Sequence, residues 1–141
     1  MRLRTRRQWA VFATALFVLE VLIATVWRHV PVLRTDLGDY FVTVLVYAFV
    51  KAVLPARWTR SATLLAIAVF VFGFSVEGAQ ALGLADRLGL TSGGAARIVL
   101  GATFDWGDVA MYGAGCLTAW LLDGARVTSS STSSPAARAS P

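Results

Sequence analysis

Acidic side chains lie inside otherwise apolar stretches of this sequence. Glu20, Glu77 and Asp108 are each surrounded mainly by aliphatic, aromatic and small residues. An unpaired carboxylate in such surroundings either takes up a proton or needs a partner. Buried carboxylates of this kind can bind cations, relay protons, or act as a general acid and base. We therefore treat these three acids as the core of a candidate site.

A stripe of polar residues runs along the second apolar stretch. Directly after Asp39, the residues Tyr40, Thr43, Tyr47 and Lys51 succeed one another at spacings of three, four and four. These spacings place the side chains on one face of a helix. A polar stripe that faced lipid would be unfavourable, so we expect this face to point into a helical bundle.

The candidate ligand-binding residues combine the acids with polar and basic neighbours. Arg97 and Lys51 are candidate counter-charges, although Lys51 can also simply extend to the nearby interface. Gln80 and Tyr112 can donate hydrogen bonds. Near helix starts, Asp36 and Asp105 have the alternative interpretation of N-caps. The complete candidate set is Glu20, Asp39, Lys51, Glu77, Gln80, Arg97, Asp105, Asp108 and Tyr112.

Several chemistries have no support in the residue inventory. The single histidine, His29, excludes a multi-histidine metal site, and the single cysteine, Cys116, excludes an internal disulfide. No phosphate-binding loop, metal-ligand spacing or activated nucleophile is recognisable. We expect no catalytic residues, no metal and no cofactor, and an enzyme is the less favoured interpretation.

The composition indicates a membrane protein. Hydrophobic residues make up 57% of the 141 residues and charged residues only 15%, whereas soluble domains carry about 25% charged residues. A helix of about 20 apolar residues spans the hydrocarbon core. The sequence therefore predicts an all-α polytopic membrane protein, a bundle of four transmembrane helices at about residues 9–27, 37–54, 62–82 and 104–122.

The remaining segments follow from this division. Residues 1–8 form a basic N-terminus, 9–123 the transmembrane domain, and 124–141 a disordered, Ser/Thr/Ala/Pro-rich tail. In the link between the third and fourth spans, we expect a short interfacial helix over residues 93–100.

The distribution of basic residues predicts the orientation. Nine of the thirteen Lys and Arg residues fall on the side of the two termini. By the positive-inside rule, both termini are cytoplasmic and the acids lie toward the outer face of a bacterial inner membrane. The net charge of +5 is then an orientation signal rather than a sign of nucleic-acid binding. Membrane lipids are the expected partners, with homo-oligomer formation left open.

Several segments resemble the bacterial membrane-protein family known as domain of unknown function 2809. The resemblance rests on ARIVLGATFDWGDVAMYGAG, on VEGAQALGL, on LGDYFVTVLVYAFVKA and on LEVLIA, in the family's order. It implies a small multi-pass membrane protein without an established reaction. A fainter similarity to the VanZ-like family rests on a Glu-x-x-Gln helix followed by a helix that begins with aspartate. The chain lacks the asparagine that this family shows after the aspartate.

Together these patterns predict an outward-facing acidic pocket that binds a polar or cationic group on an envelope lipid or glycolipid headgroup. A proton- or cation-coupled transporter subunit is the first alternative, because intramembrane carboxylates serve as proton relays. A purely structural role, with the polar residues joining the helices, is the second.

Overall fold

The computed structural model describes residues 5–27, 29, 36–87, 89 and 105–124, without the side chains of residues 36, 85 and 86. Within these ranges the protein is all-α, as the sequence predicts. The predicted helix over residues 93–100, Arg97 and most of the tail lie outside the described residues. The described helices are α1 (Arg6–Thr25), α2 (Asp36–Val53), α3 (Ala62–Ala81), α4 (Leu84–Arg87) and α5 (Trp106–Gly124).

Local capping sets where two of the long helices begin. Thr5 and Gln8 form a capping box, in which the Thr5 hydroxyl accepts from the Gln8 N–H and the Gln8 side chain accepts from the Thr5 N–H. This reciprocal pair satisfies two backbone donors at the helix start. It moves the start of α1 to Arg6, whereas the hydropathy pattern predicts a start at Trp9. Ser61 is the N-cap of α3, and its hydroxyl accepts a hydrogen bond from the Leu64 N–H at 3.2 Å.

Gly83 ends α3. Its φ of +59° lies in the left-handed region, which glycine enters without steric cost. The Gly83 N–H donates to the Gln80 carbonyl at 2.9 Å, closing the last turn. The short helix α4 follows immediately, an element that the sequence pattern does not predict.

The four long helices pack in the order α1, α2, α5, α3, with a smaller contact between α2 and α3. The long helices α3 and α5 thus pack directly against each other. The core centres on α2 and α5, because each has a long helix on both sides. Its buried members are Trp9, Ala13, Leu16, Val44, Tyr47, Ala48, Leu65, Val69, Cys116 and Ala119.

Gly115 allows α2 and α5 to approach closely. A Cβ atom added there would lie 2.8 Å from the Tyr40 carbonyl oxygen and 2.9 Å from the Thr43 Cβ. Only a residue without a side chain fits against this backbone. Gly73 has a similar role between α3 and α5, since an added Cβ would meet the Tyr112 ring at 3.0 Å.

Two of the described helices, α1 and α3, are long and apolar enough to cross a membrane by length and composition. Each contains 20 residues. The remaining long helices do not meet this test; α2 contains Asp36, Asp39 and Lys51, and α5 contains Asp108 and Asp123. The sequence predicted four spans, and composition alone supports two of them.

Candidate functional site

The polar residues of the bundle fall into two groups at opposite ends. We call one the acidic end: Glu20, Asp39, Glu77, Asp105, Asp108 and Tyr112. We call the other the basic end: Arg6, Lys51, Arg57, Arg60 and Asp123. The separation follows from α2, on which Asp39 and Lys51 are twelve residues apart, roughly 18 Å at 1.5 Å per residue.

Glu77 is the most completely buried ionisable residue of the acidic end. Its side chain is fully enclosed, with 0% exposure. One carboxylate oxygen accepts from the Tyr112 hydroxyl at 3.0 Å, and the other accepts from the Asp105 backbone N–H at 3.2 Å. Both donors are neutral and both belong to the segment that begins α5. As the sequence predicts, Tyr112 supplies a hydrogen bond to a deep acid.

Asp39 and Asp108 bring two carboxyl groups into direct contact. Their side chains are hydrogen-bonded to each other, and Asp39 also interacts electrostatically with Glu77 and Glu20. Two carboxyl groups in contact repel each other unless a proton or a cation lies between them. Each of the four acids comes from a different long helix, so the tertiary fold assembles this group.

Glu20 completes the acidic end from α1. Its Oε1 atom is buried and has no hydrogen-bond partner among the described residues. A buried oxygen without a donor is costly, because it has lost its water and gained nothing in exchange. This atom is therefore the part of the acidic end where a ligand donor would contribute most.

Asp105 acts mainly as the cap of α5. Its Oδ1 accepts from the Gly107 N–H at 2.7 Å, the geometry of an N-cap. The interpretation of Asp105 as a cap is thus present in the structure, beside its backbone donation to Glu77. Gln80 is half-buried one turn beyond Glu77, and its side chain makes no hydrogen bond with the other described residues.

Lys51 is not a counter-charge of the acids at the acidic end, although the sequence made it a candidate for that role. Its ammonium group forms a salt bridge with Asp123 at 2.7 Å and donates to the Thr59 carbonyl at 2.9 Å. The Tyr47 hydroxyl donates to the same Asp123 oxygen at 2.7 Å. The side chains of Lys51 and Asp123 are only 11% and 3% exposed. Lys51 is therefore a buried structural partner at the basic end.

The polar stripe of α2 points into the bundle, as expected. Thr43 and Tyr47 are buried, with 5% and 0% exposure. The Tyr40 hydroxyl donates to the Thr118 hydroxyl of α5 at 3.0 Å. The stripe is thus the contact surface that α2 presents to α5.

Sequence reasoning missed Asp123, because the predicted fourth span ended at Leu122. One signal was available. The carbonyl end of a helix disfavours negative charge, so an acid in the last turn of α5 needs a nearby cation. Lys51, the only lysine of the chain, was the natural candidate.

A cavity of about 590 Å³ opens at the basic end. The walls include the aromatic rings of Trp9 and Trp120 and the first residues of α3. Four basic side chains line it, together with one acid: Arg6, Lys51, Arg57, Arg60 and Asp123.

Within the described ranges, no group of three or more His, Cys, Asp or Glu residues is arranged to hold a metal ion.

The fold and the buried acids define a small all-α protein with candidate membrane-spanning helices. The family model described as Protein of unknown function (DUF2809) matches residues 28–116, well over half of the chain. The chain belongs to this family. The match includes Asp39, Glu77 and Asp108 but begins after Glu20 and ends before Asp123.

No curated protein and no solved structure matches the chain. None of these comparisons supports the fainter resemblance to the VanZ-like family, which stays a prediction.

Proposed function

We propose that the protein crosses a bacterial inner membrane four times and that its acidic end faces outward. The support lies in the outer surface of the bundle. Phe17, Phe49, Phe72 and Leu121 each belong to a different long helix, and each is more than half exposed. Soluble monomers rarely expose contiguous apolar surface of this kind, whereas lipid tails cover it at no cost. The basic residues beside both termini favour a cytoplasmic location for that end.

At the outward end, the acids bind a cationic group on an envelope lipid or glycolipid headgroup. The contact between the carboxyl groups of Asp39 and Asp108 carries this proposal. Glu77 strengthens it, because its two described hydrogen bonds come from neutral donors. The unpartnered oxygen of Glu20 adds an acceptor on the same side. A bound ammonium group would satisfy several of these carboxyl oxygens at once.

Calorimetry in neutral nanodiscs tests the proposal. The probes are hexylammonium and hexanol, which share a chain and differ in charge. We expect hexylammonium alone to bind, and Asp39→Asn to weaken it by roughly tenfold, since a charge-assisted hydrogen bond contributes about 1.5–3 kcal/mol. The double variant Lys51→Met with Asp123→Asn, which removes both members of the buried ion pair at the basic end, is the control and should leave the affinity unchanged. Equal binding of both probes, or equal losses in the two variants, would contradict the proposal.

Proton- or cation-coupled transport is the second candidate function. It is favoured by Glu20, whose buried oxygen lacks a partner and whose helix lies at the edge of the bundle. Carboxyl groups in such positions serve as proton relays in transporters. Proteoliposomes with an imposed pH gradient would show flux that Glu20→Gln abolishes. Absence of flux together with absence of hexylammonium binding would leave the structural role of the acids as the remaining account.

A further inference from the structure

The basic end holds a second site, distinct from the acidic end in place and in charge. Its cavity of about 590 Å³ has a volume in the range of small-molecule sites. Four of its lining side chains are basic and one is acidic. We infer that this cavity binds a phosphate ester group.

The basic side chains of the cavity differ in how many of their hydrogen-bond donors already have a partner in the protein. Lys51 is neutralised by Asp123. The Nε and one terminal nitrogen of Arg6 donate hydrogen bonds to the carbonyls of Ala52 and Val53, at 3.1 and 2.7 Å. Arg57 and Arg60 are exposed and make no hydrogen bond with the other described residues. Within the part of the chain that the structure describes, the guanidinium groups of Arg57 and Arg60 therefore remain to receive an anion.

The start of α3 adds donors to the same cavity. Ser61, Ala62 and Thr63 all line it. The first N–H groups of a helix have no intrahelical acceptor, and the helix dipole favours an anion at this end. The Ser61 hydroxyl satisfies the Leu64 N–H, while Ala62 and Thr63 precede it. Planar guanidinium forks beside a helix N-terminus are a combination that suits phosphate oxygens.

The walls suit the rest of a lipid headgroup. The Trp9 and Trp120 rings offer apolar surface beside the charges. Trp58, next to Arg57, is 71% exposed, as expected for a tryptophan at a membrane interface. Basic pockets between helices on the cytoplasmic side of a membrane recognise anionic headgroups. A phosphate ester could also come from solution, and the experiment separates these two sources.

The lipid arm compares retention of phosphatidylglycerol and phosphatidylcholine by detergent-purified protein, measured by native mass spectrometry. We expect wild type to prefer the anionic lipid, and Arg57→Gln and Arg60→Gln each to lower that preference roughly fivefold, since one basic residue near the surface contributes about that factor. Arg7→Gln is the matched control, because Arg7 is exposed on the first turn of α1 and does not line the cavity. It should retain the preference.

The soluble arm titrates glycerol 3-phosphate into protein in neutral nanodiscs. If glycerol 3-phosphate binds and its binding depends on Arg57 and Arg60, the natural ligand is a free phosphate ester. If the protein prefers phosphatidylglycerol but does not bind glycerol 3-phosphate, the natural ligand is a membrane lipid. Either result supports a phosphate site. If neither arm shows binding, or if Arg57→Gln, Arg60→Gln and Arg7→Gln all behave alike, the inference is overturned. The lipid arm rests on the proposed membrane location, but the acidic-end variants do not enter these measurements, so failure of the phosphate site is distinguishable from failure of headgroup binding at the acidic end.

Discussion

The Tyr112 hydroxyl donates a 3.0 Å hydrogen bond to a Glu77 carboxylate oxygen, and thereby joins α5 to α3. Both residues are buried, at 8% and 0% exposure. The bond holds in place the most enclosed acid among the described side chains, and Asp39 interacts electrostatically with this acid and with Asp108 and Glu20.

Tyr112→Phe should destabilise the bundle. The change leaves a buried carboxylate oxygen without its donor, which costs about 1–3 kcal/mol of unfolding free energy. Tyr40→Phe is the matched control, because the Tyr40 hydroxyl bonds only a half-buried threonine hydroxyl and its loss should cost nearer 0.5–1 kcal/mol, roughly the net value of one neutral hydrogen bond. Denaturant unfolding in bicelles measures both. Equal losses of unfolding free energy in the two variants would mean that the hydrogen bond from Tyr112 to Glu77 contributes no more stability than an ordinary neutral hydrogen bond.

Asp39→Asn should leave the protein as stable as wild type or more stable. The substitution is nearly isosteric, and it removes one of two carboxyl groups in contact. Functional sites commonly retain such unfavourable pairs at a cost in stability. Thermal unfolding of the detergent-purified variant gives the answer. A loss of several kcal/mol, on the order of that for breaking a buried network, would mark the pair as structural and would weaken the binding proposal.

Gly115→Ala should destabilise the contact between α2 and α5. The added methyl group overlaps the Tyr40 carbonyl, and overpacking of this kind costs about 1–3 kcal/mol. Gly78→Ala is the control, since no atom of the described residues outside the backbone of α3 itself lies within 4 Å of an added Cβ there. Alanine has the better helix propensity, so this control should be neutral or stabilising by up to about 1 kcal/mol. Comparable destabilisation of both variants would refute the close approach at Gly115.

Lys51→Met should destabilise strongly, because it leaves the Asp123 carboxylate buried and unpaired. Breaking a buried ion pair by removing one partner costs about 3–5 kcal/mol. Replacing both members, in Lys51→Met with Asp123→Asn, should recover most of that loss, since no uncompensated charge remains. A double-mutant cycle of unfolding free energies measures the coupling. Additive losses would show that the two residues act independently despite the 2.7 Å separation.

The sequence by itself determined the four long helices. Apolar stretches of helical length placed the four long helices with ends within three residues of those observed, because helix formation depends on local side chains and caps. The spacing of Thr43, Tyr47 and Lys51 likewise determined that one face of α2 turns inward.

Only the tertiary structure decided which side chains meet. Lys51 pairs with Asp123 rather than with the acids at the other end, and Asp39 meets Asp108. These pairings depend on the rotation and axial offset of whole helices. Both are set by close contacts such as Gly115 against the Tyr40 carbonyl, which no local periodicity encodes. The sequence does not determine the helix order α1, α2, α5, α3 for the same reason. Every long helix has a face that could pack against a neighbour, and only the packed bundle selects one arrangement.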